Sequence, residues 1–134
     1  MKIKTLIAIC VMALAFMSCK KDPIKGCKTS YATNYNSSAE EDDGSCTYEG
    51  SVVFWQTAPV ASVNVYLDGV FVGNSNVVFS SAPACGNGAA LTVKKDLGTS
   101  KSKNYNLTVT VNGGAVQDLG TVTFEANTCT SVKF

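Results

Sequence analysis

The side chains of this 134-residue chain that could do chemistry are six cysteines, ten carboxylates and eleven lysines; every basic residue is a lysine, and neither histidine nor arginine occurs. Without histidine there is no Ser/His/Asp or Cys/His pair, no imidazole metal ligand and no side chain titrating near neutrality at its ordinary pKa. Without arginine there is no bidentate fork for phosphate or carboxylate, and a net charge of +1 supplies no footprint for nucleic acid. The carboxylates Glu49, Asp68, Asp96, Asp118 and Glu125 are scattered, with no paired spacing that would suggest glycoside hydrolysis. The expectation is a protein that is not an enzyme and takes no nucleic acid. Its informative chemistry lies in cysteine.

Cys10 and Cys19 stand apart from the rest. Lys2 and Lys4 precede an apolar run, residues 6–17, which ends at Ser18-Cys19. Twelve apolar residues are too few to cross a bilayer, where about 20 are needed, and suit an export signal. Phe16-Met17-Ser18-Cys19 resembles the lipobox of Gram-negative bacterial lipoproteins. That resemblance implies cleavage before Cys19, lipid on its thiol and acyl transfer to its new amine. Several acyl chains anchor a protein stably to a membrane surface without spanning it. Lys20 stands where aspartate would retain such lipoproteins at the inner membrane, and Lys20-Lys21-Asp22 is similar to the charged stretch that accompanies display on the cell surface. The implied address is the outer membrane, facing the cell exterior. Residues 1–18 are then the signal peptide, and 19–25 a lipidated tether.

Cys27, Cys46, Cys85 and Cys129 remain. An even number in a small exported domain reads as two disulfides, with three pairings open. Proximity along the chain favours Cys27 with Cys46 and Cys85 with Cys129. Loops of those lengths contribute on the order of 3 and 4 kcal/mol in the chain-entropy model, comparable to the whole stability of a small domain. No Cys-x-x-Cys spacing suggests a metal site instead.

The cysteines separate two textures. Residues 26–48 are rich in Asn, Ser, Asp and Gly and carry no apolar period, so turns and side-chain-to-backbone bonds should shape an irregular spacer. Its Gly-Cys…Asn-Tyr-Asn…Asp-Asp-Gly-Ser-Cys pattern resembles a cysteine-bounded segment of exported Gram-negative proteins, which implies a spacer or stalk unit. Asp42 and Asp43, with Asn34 and Asn36, are its candidate calcium ligands, although the spacing is not that of an EF-hand. The other reading of the same residues is a solvated acidic turn with Gly44 left-handed. No other cofactor is expected.

Residues 50–134 read as short strands between turn signals, the pattern of a small antiparallel β-sandwich of about seven strands. Strands are expected over 51–56, 63–67, 70–73, 77–79, 91–95, 105–112, onward from 116, and 130–134. Asp68-Gly69 and Asn112-Gly113 mark hairpins. The run Val-Asn-Val-Tyr-Leu-Asp-Gly-Val-Phe-Val-Gly, residues 63–73, is similar to the opening of PEGA and carboxypeptidase-regulatory β-domains. These are mostly non-catalytic scaffolds, which implies a structural or interaction role with an envelope protein or polysaccharide as partner.

Trp55 and Tyr66 are the candidate ligand contacts. Exposed, they would form a platform for sugar with Tyr31, Tyr35 and Tyr48; the competing and preferred expectation for Trp55 is packing between the sheets. Lys94, Lys95, Lys101 and Lys103 form a small basic region, read as solvated surface or a contact for acidic polymer. Removing residues 1–18, with Lys2 and Lys4, from 134 leaves 116 residues and nine lysines against ten acids.

Overall fold

The computed structural model describes residues 21–59 and 62–134. The expected signal peptide, residues 1–18, and the expected lipidation site, Cys19, lie outside the described residues. Nine strands follow in order: β1 (Lys25–Gly26), β2 (Glu41–Asp42), β3 (Tyr48–Trp55), β4 (Val63–Leu67), β5 (Val70–Ser75), β6 (Leu91–Gly98), β7 (Ser102–Val111), β8 (Val116–Glu125) and β9 (Cys129–Lys133). There is no helix among the described residues. Seven of the strands form the expected sandwich, a three-stranded sheet β6-β3-β9 against a four-stranded sheet β5-β4-β7-β8.

Period-two patterning builds the core. Val63, Val65 and Leu67 of β4 are at most 2% exposed while Asn64 and Tyr66 between them are partly exposed. Tyr105, Leu107 and Val109 of β7 and Val122 and Phe124 of β8 complete that inner face. Opposite them stand Val52 and Phe54 of β3 with Val93 and Leu97 of β6. The turn chemistry is equally direct. Asp68 and Gly69 both take positive φ, 49° and 76°, the conformation of a two-residue hairpin whose twist matches its strands.

Three features depart from the expected pattern. First, the sandwich is not wholly antiparallel: β9 runs parallel to β3, with Val52 opposite Thr130 and Phe54 opposite Val132. Parallel closure needs a long connection, and β3 and β9 lie at opposite ends of the β-module. Second, residues 77–79 are not a strand. Only Val78 makes a bridge, to Gln56. Third, the spacer is mostly irregular but includes one ordered pairing, β1 parallel to β2.

Gly50 shows how closely the β8–β9 connection approaches β3. A Cβ there would lie 2.7 Å from the Glu125 carbonyl oxygen, so no larger residue fits without backbone movement. Beside it, Asn127 N–H donates to the Glu49 carbonyl at 2.9 Å and Ser51 N–H to that of Thr128 at 3.0 Å.

Candidate functional site

Both favoured disulfides form. Cys27–Cys46 is buried inside the spacer and Cys85–Cys129 clamps the segment before β6 onto β9. The second clamp bears on the outer face of the three-stranded sheet. Val53 alternates with inward Val52 and Phe54, so it points away from the core, yet it is only 1% exposed. The segment carrying Cys85 covers this outer face: Gly86 N–H donates to Thr92 Oγ1 at 3.1 Å, and Thr92 is the register partner of Val53.

Trp55 belongs to that same outer face, which corrects the expectation that it packs between the sheets. At Val52, Val53 and Phe54 both faces of β3 are buried, so the run into Trp55 carries no alternation to reveal which way the indole turns. Trp55 is half-buried beside its register partner Lys133, whose ammonium lies 5.7 Å from the ring centroid. Among the described residues it contacts no other aromatic ring.

The outer face of the four-stranded sheet is different, because no described segment lies over it. Tyr66 and Phe71 meet there edge-on, with ring centroids 5.6 Å apart, and Phe71 is 56% exposed. Polar groups share this face, Asp118 among them in the row of Tyr66 and Thr108. Asn74 Nδ2 donates to Asn64 Oδ1 at 3.0 Å, Asn64 Nδ2 to Thr110 Oγ1 at 3.3 Å, and Thr123 Oγ1 to Asn104 Oδ1 at 2.8 Å. Such bonds between neighbouring strands hold the amides in fixed orientations on a broad surface.

A concave feature lies where the spacer meets the sandwich. Tyr31 packs its ring 5.7 Å from that of buried Tyr48, and a cleft of about 290 Å³ opens between Tyr31, Thr33, Glu49, Lys94 and Asn127. The Glu49 carboxylate pairs with Lys94 at 3.3 Å on its wall. The Lys101 ammonium sits 6.0 Å from the Tyr31 ring centroid, and hydrogen bonding to the Tyr31 hydroxyl raises its pKa above the ordinary lysine value. The alternative expectation of a sugar platform would join Tyr31 to Trp55 and Tyr66; the three occupy separate surfaces.

The acidic spacer residues are committed locally. Asp42 Oδ1 accepts from Gly44 N–H and Asp43 Oδ1 from Ser45 N–H, both at 2.9 Å. Asn34 bridges the Ser45 carbonyl and the Thr47 N–H, and Asn36 Oδ1 accepts from Ser38 N–H. Asp42, Asp43 and Asn36 form turns, with Gly44 left-handed at φ 73°, and Asn34 ties the two arms of the spacer together; among the described residues no three acidic or cysteine side chains converge on one point. The same habit recurs in the sandwich. Asp96 and Asp118 each accept from a glycine N–H two residues on, at 2.8 Å, and Asp68 accepts from Asn106 N–H at 2.7 Å. The lysine region is likewise engaged, with the Lys95 and Lys103 ammonium groups 5.5 and 5.4 Å from the Tyr105 ring centroid.

No family model, curated protein or solved structure matches the chain.

Proposed function

We propose that this chain is a non-catalytic interaction or structural module, anchored by lipid on Cys19 at the outer membrane and facing the cell exterior. The observation that carries the reading is the asymmetry of the sandwich: one sheet's outer face is covered over Val53 beside the segment clamped through Cys85–Cys129, while the other is left open around Tyr66 and Phe71. An open, hydrogen-bonded amide and aromatic surface suits contact with an extended partner, and aromatic anchors dominate such contacts. The absence of histidine and the use of Asp42, Asp43, Asp68, Asp96 and Asp118 as turn formers support a role without catalysis. Binding of the full-length protein to isolated envelopes, with and without the Tyr66 and Phe71 rings, tests the reading.

A glycan as the contacted polymer is a second reading, favoured by the cleft between spacer and sandwich. Tyr31 offers a ring for stacking, and Glu49, Lys94, Asn127 and Thr33 offer hydroxyl partners around it. A glycan array separates the two: binding abolished by Tyr31→Ala and kept by Tyr66→Ala would assign the glycan to the cleft.

A further inference from the structure

The outer face of the four-stranded sheet carries charge of one sign. The row that holds the aromatic pair runs Phe71, Tyr66, Thr108, Asp118 across β5, β4, β7 and β8. Asp68 stands in the hairpin that joins Tyr66 to Phe71, and Glu125 ends β8 in the outward phase, opposite to buried Val122 and Phe124. All three carboxylates are exposed, and among the described residues none of them is in an ion pair.

No lysine shares this face. Lys94 and Lys133 belong to the three-stranded sheet, and Lys101 stands beside Tyr31. Lys103 is the one lysine of the four strands, and it falls in the inward phase of Tyr105, whose ring it approaches together with Lys95. The rings of Tyr66 and Phe71 add to the negative potential, since an aromatic face attracts cations. Two strand spacings separate Tyr66 from Asp118, about 10 Å, which is close to the screening length at physiological salt. Rings and carboxylates therefore act on one bound segment together, and an anionic polymer or an anionic membrane surface is repelled by the same groups.

We propose that this face docks a cationic, extended segment of a protein partner, with one lysine or arginine over the Tyr66–Phe71 rings and its neighbours at Asp68 and Asp118. The inference rests on the reading that the open face makes the contact, and it adds the chemistry of what is contacted. Alternate side chains of an extended chain stand about 7 Å apart on one side, and long cationic side chains lay their stems on apolar surface while their charged heads reach outward.

The test uses the full-length, ¹⁵N-labelled protein with two synthetic peptides, one alternating lysine with threonine and the other glutamate with threonine. The lysine peptide should shift the amides of Tyr66, Phe71 and Asp118, and the glutamate peptide should leave them in place. Affinity for the lysine peptide should fall about fivefold in Asp68→Asn/Asp118→Asn, exchanges that keep an oxygen to accept from Asn106 and Gly120 N–H. Equal shifts by both peptides, unchanged affinity in the double variant, or shifts confined to the acidic spacer residues Glu40 to Asp43 would overturn the proposal; the wild-type spectra alone decide it if the variant fails to fold. Isolated envelopes separate this inference from the reading beneath it. Binding lost in Tyr66→Ala/Phe71→Ala but kept in Asp68→Asn/Asp118→Asn leaves the face as the contact and overturns the cationic partner, whereas binding kept in both overturns both.

Discussion

The rings of Tyr66 and Phe71 meet at 62° across the β4–β5 hairpin, directly opposite in register. Edge-to-face contact of this kind adds about 0.5–1.5 kcal/mol beyond area burial, yet the pair lies outside the core and leaves Phe71 largely in solvent. Two large aromatics held in fixed geometry on an open face contribute little to folding in proportion to the apolar surface they present. That disproportion is the physical basis for assigning them to contact with a partner.

The close approach at Gly50 predicts a sharp stability effect. A methyl group there would press on the Glu125 carbonyl, and overpacking of this sort costs about 1–3 kcal/mol. Gly50→Ala should lower the thermal midpoint by several degrees. An unchanged melting curve would show that the β8–β9 connection yields freely.

Asp43 predicts an acid response confined to the spacer. The Ser45 hydroxyl and then its backbone N–H, at 2.9 Å, hold the Asp43 carboxyl below its ordinary 3.8. A carboxyl depressed in the folded state contributes stability above its unfolded pKa, and that contribution is lost as pH falls through the folded value. Carbon-detected titration should place Asp43 below 3.8 in the wild type and nearer to it in Ser45→Ala. Equal values in the two proteins would remove Ser45 Oγ as a cause.

How far the chain discloses this arrangement depends on how local each determinant is. Asp68-Gly69 marks its hairpin because two successive positive φ angles exclude most other residue types. Cys27 with Cys46 follows from nearness in the chain. The side on which Trp55 lies was not legible, because both faces of β3 are covered and its residues show no alternation. Nor was the parallel pairing of β9 with β3, which depends on contacts between the two ends of the module. Tyr31 reaches its cleft only through the packing of the spacer on Tyr48.

The proposed anchor makes a prediction about mass. The mature chain should begin at Cys19, and its N-terminal peptide should carry the added mass of a diacylglyceryl group and an amide-linked acyl chain. Cys19→Ala should release the protein from membranes. A mature chain that retains residues 1–18, or begins at an unmodified Cys19, contradicts the anchor.

The central claim is that the open sheet face makes the contact, and binding of the full-length protein to isolated envelopes measures this most directly. The wild type should bind saturably, and the Tyr66→Ala/Phe71→Ala variant should bind at least tenfold more weakly while losing no more than about 1–2 kcal/mol of stability. Equal binding by a folded double variant, or no binding by the wild type, would contradict the account.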